Sequence, residues 1–364
     1  NTADWKCRYS PITSNNVYAG EVYDARIETP DFSLPGISVL GWGDVTEDKT
    51  EKGRMLPSLI PPVRVLRELP AVSVTPCSGT SDSAWLFDVG ENIAGVPEFH
   101  LPPSPSGALY TFRYAEVLNE GGTPDYRSTG GYATQCIQQD IYICRGDPDG
   151  EVYRPRFTYH GFRYVEMTGF YDVSNGYGTQ PTAEICKALQ LTTDFAKSAT
   201  FSCSDDYLNR LYRVMDNTYR SNFHGFPEDC PVRERCGWLG DAQVLINWGL
   251  LSSDSLACYE KYMQDIRSSV DALGYFPNII LAHLYTSPQP IVSTKSPGFA
   301  FARTYSAISS KVGYHTQPSI FSARSFLVIP FCSTDFLSAM HLCLFLHQSS
   351  PLVLFSVIQH TLLR

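Results

Sequence analysis

The sequence predicts β-rich modules followed by helical hairpins of an α/α toroid, and two observations support this order. Up to about residue 195, short apolar and alternating runs are separated by Pro, Gly and Ser, which is typical of strands joined by turns. After about residue 200, apolar residues recur at helical spacing in three successive segments. Short loops between successive helices favour antiparallel hairpins, and such hairpins are the repeating unit of a toroid.

The first part of the chain is expected to fold as an N-terminal β module over residues 1–70 and a β-sandwich over residues 71–195. In the second block, Ala84–Gly95 is typical of an apolar strand followed by a polar glycine turn. Residues 107–118 alternate, as expected of a strand with one buried face. Strands at this spacing, with no helical pattern between them, imply a sandwich.

Three charged residues of the N-terminal module, Glu21, Asp24 and Arg26, lie close together in the sequence. Carboxylates beside a guanidinium can form a functional site, but they more often form ion pairs that stabilise the fold. We therefore expect a structural ion-pair network here.

Three helices are expected between residues 196 and 280. Ser204 is a suitable N-cap for the first helix, because two acidic residues follow it in the first turn. The second helix is expected from about Asp241 to about Leu251, and the third begins after Asp254. The site-like part of the chain falls in the connection between the first two helices.

The composition is that of a soluble globular protein and argues against a nucleic-acid partner. Of the 364 residues, 43% are hydrophobic and 18% are charged, and the net charge is −9. Eleven cysteines show no Cys/His ligand spacing, so no metal or other cofactor is expected. An apolar run near the C-terminus is interrupted by Pro330, Asp335 and Pro351 and is a poor membrane span. No signal peptide is visible after Asn1; the compartment and the oligomeric state stay open, with secretion slightly favoured.

The stretch from Asp229 to Asp241 carries the chemistry of a candidate site. It contains three carboxylates, two guanidinium groups and an indole within thirteen residues. A glycoside-cleaving site needs a protonated carboxylic acid, carboxylates that bind sugar hydroxyls, and an apolar plate for the sugar ring. Glu234 is the best candidate for the acid, because the two aspartates oppose its ionisation. The positive charges of Arg233 and Arg235 favour ionisation of Glu234 and therefore oppose this effect.

This stretch, Asp-Cys-Pro-x-Arg-Glu-Arg-x-Gly-Trp-x-Gly-Asp, resembles the signature of the α-L-rhamnosidases of glycoside hydrolase family 78. Tyr18–Arg26, Tyr153–Glu166 and the Arg-Tyr-Ala-Glu piece ending at Glu116 resemble further blocks of that family, in the expected order. The resemblance covers about residues 10–278.

The resemblance implies β modules followed by a six-hairpin toroid, truncated in this chain, and removal of terminal α-L-rhamnosyl groups with inversion. Glu234 matches the general acid, whereas Asp229, Arg233, Trp238 and Asp241 match residues that line the rhamnose pocket. The substrate implied is a carbohydrate, a terminal α-L-rhamnoside. Inversion also needs a general base, which the family supplies from a later helix loop that is not recognisable in this sequence.

Residues 281–364 have a different character, with six charged residues of which one is acidic and with neither helical nor strand periodicity. We expect this tail to be unrelated to the enzyme that precedes it. Two other functions stay open: a non-catalytic rhamnoside-binding or structural fragment, and another toroid glycosidase such as a relative of trehalase or glucoamylase. His224 and Glu228 are further candidates for lining the cleft.

Overall fold

The computed structural model describes residues 4–49, 56–77, 84–127, 137–170 and 180–270, together with Pro277, Ile279 and Ile280. The predicted tail, 281–364, lies outside the described residues. The helices are α1 (Asp206–Ser221), α2 (Leu239–Ser252) and α3 (Leu256–Ser268), with short 3-10 turns at Ala25–Ile27 and Ala183–Ile185. The strands are β1 (Lys6–Cys7), β2 (Ile12–Asn16), β3 (Gly20–Asp24), β4 (Gly43–Asp44), β5 (Val63–Pro70), β6 (Ser73–Pro76), β7 (Trp85–Leu101), β8 (Leu109–Ala115), β9 (Gln139–Ile143), β10 (Glu151–Tyr153), β11 (His160–Thr168), β12 (Cys186–Thr193), β13 (Gly237–Trp238) and β14 (Ile279–Ile280).

Ten of these strands form one curled sheet in the order β2-β3-β9-β8-β11-β7-β12-β5, with β6 and β10 paired to β7. Neighbouring strands are antiparallel except β3 and β9, which are parallel. The long strand β7 pairs with β6 and β11 near its start and with β12 and β10 near its end. The predicted β-sandwich is therefore a single sheet that curls around its own core. Strands from both sides of residue 70 belong to it.

The glycine turn predicted within Ala84–Gly95 is wrong, because β7 continues through it to Leu101. Gly90 adopts a left-handed backbone conformation with φ of 84°. The pairing between β7 and β11 shifts register nearby, between Phe162 and Tyr164. An irregularity of this kind lets a strand bend without ending. Glycine and polar residues occur at such bends as well as at turns, so the local sequence predicted a turn.

Aromatic rings fill the interior of the curled sheet. Alternation along β8 puts Tyr110, Phe112 and Tyr114 on the inner face, where all three are fully buried. Phe99 of β7 stacks on Phe112 with 4.5 Å between ring centroids. Large buried rings contribute much of the apolar burial that stabilises a sheet of this kind. Of the fifteen tyrosines in the described residues, nine are buried.

The predicted ion-pair network of the N-terminal module is confirmed only in part. Arg26 donates to Asp24 at 2.8 Å, so this pair exists at the surface. Glu21 is fully buried and has different partners: it accepts from the backbone N–H of Arg156 at 3.2 Å and from the phenol of Tyr153 at 3.4 Å. A strand alternates its side chains between faces, which separates Glu21 from Asp24.

The three predicted helices are present, with small changes at their ends. Asp205, rather than Ser204, caps α1, and its side chain accepts from the backbone N–H groups of Tyr207 and Leu208. Helix α2 begins two residues earlier than predicted, at Leu239. A second apolar core joins the helices, with Tyr219 of α1, Ile246 of α2 and Tyr259 of α3 among its buried members.

Candidate functional site

The candidate site lies on the loop between α1 and α2, and we call residues 229–238 the signature loop. Two hydrogen bonds close this loop. The backbone N–H of Asp229 donates to the carbonyl of Cys236 at 3.0 Å, and the N–H of Cys236 donates to Asp229 Oδ1 at 2.9 Å. The loop ends in β13, which pairs with β14, and the phenol of Tyr262 donates to the carbonyl of Gly237 at 2.9 Å. Residues 230–235 are therefore presented on a closed turn.

Glu234 on this turn and Trp238 of β13 form a direct pair. The indole Nε1 of Trp238 donates to Glu234 Oε2 at 2.8 Å. Both side chains are half-buried, so each keeps a face that a ligand can reach. A carboxyl group beside an indole plate is the combination that sugar binding and protonation require.

Two aspartates of the predicted site are electrostatically coupled to Glu234. Burial raises the pKa of Asp229, the charge of Glu234 raises it further, and the hydrogen bond from the Cys236 backbone opposes these effects. Asp241 lies in the first turn of α2 and is exposed as a residue; partial desolvation of its carboxyl group by the surrounding protein, together with the charge of Glu234, nevertheless raises its pKa. Both shifts favour the protonated forms of Asp229 and Asp241.

A shallow cleft of about 330 Å³ opens beside the loop and brings Asp229 and Arg233 together. Glu116 of the curled sheet and Asn222 at the end of α1 line the same cleft. A larger groove of about 520 Å³ shares Glu116, Asn222 and Pro231 with it and continues along α1. The structure thus groups Asp229 with Arg233 in the cleft and Glu234 with Trp238 on the adjacent turn. Asp241 is exposed at the start of α2.

Arg235 is a functional candidate whose role sequence reasoning missed. Its side chain is fully buried and its backbone is left-handed, with φ of 48°. For a residue with a side chain this conformation costs about 1–2 kcal/mol, so it needs compensating contacts. Nε donates to the carbonyl of Pro231 at 2.8 Å and Nη2 donates to Gln138 Oε1 at 2.6 Å. Burial lowers the pKa of Arg235, while Tyr159 and Glu228 act to raise it. The position of Arg235 inside the Asp229–Asp241 stretch could have pointed to it from the sequence. No feature of the sequence around Gln138 pointed to that residue.

His224 and Glu228, expected in the cleft, instead lie in the interior beside the loop. Their side chains are 3% and 1% exposed and approach each other to 3.2 Å. Tyr159 of the sheet domain donates to Glu228 at 2.9 Å and stacks on His224 at 4.1 Å. These contacts tie the approach to the signature loop to the sheet, as is usual for buried polar groups.

Within the described part of the chain, no group of three or more His, Cys, Asp or Glu residues is arranged to hold a metal ion. That part contains eight cysteines, and none of them forms a disulfide. Among the described helices, none has the length and apolarity needed to cross a membrane.

Three protein-family models match successive parts of the chain. The α-L-rhamnosidase N-terminal domain matches residues 1–67, the bacterial α-L-rhamnosidase concanavalin-like domain matches residues 78–187, and the bacterial α-L-rhamnosidase 6 hairpin glycosidase domain matches residues 196–296. The chain belongs to the α-L-rhamnosidases of glycoside hydrolase family 78. The resemblance carried by the signature loop is thereby confirmed, and so is the order of β modules followed by a six-hairpin domain.

The rhamnosidase family includes relatives that are similar to this chain over most of its length. An α-L-rhamnosidase of Formosa agariphila is 35% identical over 266 residues, which cover 73% of this chain and 27% of the relative. An α-L-rhamnosidase of Streptomyces avermitilis is 31% identical over 278 residues, covering 76% of this chain and 25% of the relative. The chain therefore spans about a quarter of the length of these two relatives.

Two solved rhamnosidase structures are similar in fold. The α-L-rhamnosidase from Dictyoglumus thermophilum superposes with a TM-score of 0.73 at 29% identity, covering 85% of this chain and 32% of the other. The Streptomyces avermitilis α-L-rhamnosidase complexed with L-rhamnose superposes with a TM-score of 0.69 at 31% identity, covering 77% of this chain and 26% of the other. The domain boundaries at residues 70, 195 and 280 stay predictions; the helical-domain match extends to residue 296.

Proposed function

We propose that this rhamnosidase chain carries the acid side of a site that removes terminal non-reducing α-L-rhamnose from rhamnosides. The observation that carries the proposal is the pairing of Glu234 with the Trp238 indole at 2.8 Å, on a loop that also presents Asp229 and Arg233. An acid, a sugar plate and groups that bind hydroxyls are thus grouped on one short segment.

In the proposed reaction, Glu234 donates its proton to the glycosidic oxygen as the bond to the anomeric carbon breaks. The aglycone leaves as an alcohol, and positive charge develops on the sugar ring. Asp229 and Asp241 accept hydrogen bonds from rhamnose hydroxyls, and Arg233 donates to them. Trp238 packs against the apolar face of the ring. The carboxylates of Asp229 and Asp241 also stabilise the positive charge that develops on the sugar ring, because charges already in place lower the free energy of the transition state.

We further propose that hydrolysis inverts the anomeric centre. Inversion requires a second carboxylate about 6.5–9.5 Å from the acid, which takes a proton from the water that attacks the opposite face. We assign no described residue to this general base, and we propose that it comes from outside the recognisable part of the sequence. Glu234 regains its proton from solvent after the product leaves.

Hydrolysis of p-nitrophenyl α-L-rhamnopyranoside by the 364-residue chain tests the proposal. Glu234→Gln keeps the size of the side chain and its ability to accept from Trp238, but it cannot supply the proton. We expect it to lower kcat by about 10²–10⁴-fold, the contribution of a general acid. Glu184→Gln, an exposed glutamate on a 3-10 turn, is the matched control and leaves the rate unchanged. Equal and measurable rates of hydrolysis in the two variants would rule out Glu234 as the acid.

Rhamnoside binding without hydrolysis is the second candidate function. It is favoured by the exposure of Asp241, which leaves this carboxylate accessible to a sugar hydroxyl. Calorimetry with L-rhamnose, run beside the kinetic assay, separates the two: heat of binding without release of p-nitrophenol favours the binding function. Release from an aryl α-glucoside but not from the rhamnoside would instead favour a different toroid glycosidase.

A further inference from the structure

Two side chains of the curled-sheet domain hold the residues that carry the candidate acid. The phenol of Tyr18, in the turn before β3, donates to the backbone carbonyl of Glu234 at 3.0 Å. Gln138, directly before β9, accepts from Arg235 Nη2 at 2.6 Å. Both contacts cross from the sheet to the signature loop, and they act on two consecutive residues.

Gln138 is itself rigidly fixed. Its side chain is fully buried, and it makes two hydrogen bonds of 3.1 Å to the backbone of Gly161, one to the N–H and one to the carbonyl. Gly161 lies directly against the loop, because an added Cβ would sit 2.8 Å from Val232 Cγ1 and 3.0 Å from Pro231 Cγ. The amide of Gln138 therefore locks the start of β11 to the loop.

The backbone of Arg235 explains why such a lock is needed. A left-handed residue with a side chain reverts to an ordinary conformation unless its surroundings hold it. The Arg235 guanidinium lies 4.6 Å from the ring centroid of Tyr159 and 5.8 Å from that of Tyr18. Its hydrogen bonds to Pro231 and Gln138 complete the set of contacts. If the backbone of Arg235 reverted to an ordinary conformation, the peptide bond between Glu234 and Arg235 would rotate. The Glu234 carboxyl group would then be redirected.

We propose that Tyr18 and Gln138 are positioning residues that orient Glu234 towards Trp238, with Arg235 as the connecting group. The inference rests on the proposed function in taking Glu234 as the acid. It makes the curled-sheet domain part of the catalytic architecture rather than an independent module. Preorganisation of this kind matters because small displacements of a catalytic group cause large losses in rate.

The indole N–H of Trp238 reports the position of the Glu234 carboxyl without requiring turnover. The full chain has five tryptophans, so labelling with ¹⁵N-tryptophan gives five indole signals in a proton–nitrogen correlation spectrum. Trp238→Phe assigns the relevant signal by its loss. Glu234→Ala removes the acceptor. It therefore shows how far the Trp238 indole signal moves when the Trp238–Glu234 hydrogen bond is lost.

We expect Tyr18→Phe and Gln138→Leu to move the Trp238 signal by a displacement comparable to that of Glu234→Ala, with the other four signals unmoved. Tyr142→Phe is the matched control, because it removes another buried phenol with a hydrogen bond, to Glu151 at 2.7 Å, that has no contact with the loop. If Gln138→Leu fails to fold by circular dichroism, Tyr18→Phe decides. A Trp238 signal in Tyr18→Phe that matches the signal in Tyr142→Phe would overturn the proposal.

Kinetics separate this inference from the proposed function. Where hydrolysis is measurable, Tyr18→Phe lowers kcat with little change in KM, because the ground-state contacts to rhamnose remain. If Glu234→Gln leaves the rate unchanged while Tyr18→Phe still displaces the Trp238 signal, the acid assignment fails and the positioning contact stands. The reverse result would overturn the positioning role alone.

Discussion

The indole nitrogen of Trp238 donates a hydrogen bond of 2.8 Å to the Glu234 carboxyl, four residues earlier on the same loop. The proposed function therefore assigns two roles to one side chain, the plate for a sugar ring and an orienting donor for the candidate acid. In the proposed site Trp238 contributes to the position of the substrate and to that of the acid, and these two proposed roles can be separated by mutation.

Trp238→Phe keeps an aromatic face and removes the donor. We expect the Kd for L-rhamnose to change by less than about threefold, because the stacking surface is largely preserved. The rate of rhamnoside hydrolysis falls by about 10- to 100-fold, because the Trp238 hydrogen bond strengthens as Glu234 loses its proton, and a hydrogen bond to a charged group is worth about 1.5–3 kcal/mol. Calorimetry and steady-state kinetics measure the two quantities. Trp238→Leu is the control that loses both functions, and equal Kd values for the Phe and Leu variants would contradict a role in stacking.

Asp229→Asn tests the electrostatic cost of the carboxylate cluster. Burial, with a contribution from Glu234, raises the pKa of Asp229 above its ordinary value of 3.8, so its ionised form is disfavoured in the folded state. Wild-type stability from this group is therefore present below about pH 4 and is lost as pH rises through the folded pKa. The Asn variant can still accept from Cys236. We expect it to unfold at a higher temperature than wild type at neutral pH, with the difference shrinking in acid.

Asp88→Asn is the control of opposite sign. Burial would raise the pKa of Asp88, but hydrogen bonds from Arg163 and from the Gly90 backbone outweigh burial and lower it. Stability from Asp88 is therefore present at neutral pH and is lost as pH falls through the folded pKa. Asp88→Asn is expected to be less stable than wild type at neutral pH. Melting temperatures of both variants from pH 3 to 7 provide the comparison, and parallel curves would refute the assignment.

Gly249→Ala tests the packing between the three helices. An added Cβ would clash with the phenol oxygen of Tyr219 and would lie 2.8 Å from that of Tyr259, and both tyrosines are fully buried. Alanine favours a helix by about 1 kcal/mol over glycine, whereas overpacking a core costs about 1–3 kcal/mol. The difference between the two effects is a net destabilisation of up to about 2 kcal/mol, which we expect to see in denaturant unfolding. Tyr219→Phe in the same chain should recover part of this loss.

Gly240→Ala is the matched substitution in the same helix. No atom lies within 4 Å of an added Cβ at this position, and the residue is exposed. Only helix propensity acts there, so the free energy of unfolding should rise by up to about 1 kcal/mol. Similar changes in the two variants would show that close packing at Gly249 is unimportant.

Gly161→Ala tests the contact between the sheet and the signature loop. The new methyl group would press on Val232 and Pro231, and we expect a loss of about 1–3 kcal/mol in unfolding free energy together with weaker rhamnose binding. Gly121→Ala, with no atom within 4 Å, should change stability by less than about 0.5 kcal/mol. Unchanged stability and Kd in Gly161→Ala would show that the loop can shift without consequence.

Sequence patterns predicted the fold where the controlling interactions are local. Three helices were expected and occur, because their periodicity and caps depend on residues a few positions apart. The continuous strand β7 was missed because a bulge at Gly90 has the same local composition as a turn. The β-sandwich was expected, but its construction from one curled sheet depends on pairings between distant strands.

In the candidate site, too, some residues could be identified from the local sequence and others only from contacts between distant parts of the chain. Asp229, Glu234, Trp238 and Asp241 could be singled out because they lie within one short segment of unusual composition. Gln138 could not, since its partner Arg235 is 97 residues away, and neither could Tyr18, which is 216 residues from Glu234. His224 and Glu228 resembled cleft residues in sequence, and their burial follows from contacts with Tyr159 of another domain.

By itself, the sequence determined the family, the order of the domains and the chemical groups available on the signature loop. These properties reside in residues that are neighbours along the chain. Tertiary structure alone decided which way the loop faces and what holds Arg235 in its left-handed conformation. Those features depend on hydrogen bonds and packing across the sheet and the helices, and such contacts exist only once the chain has folded.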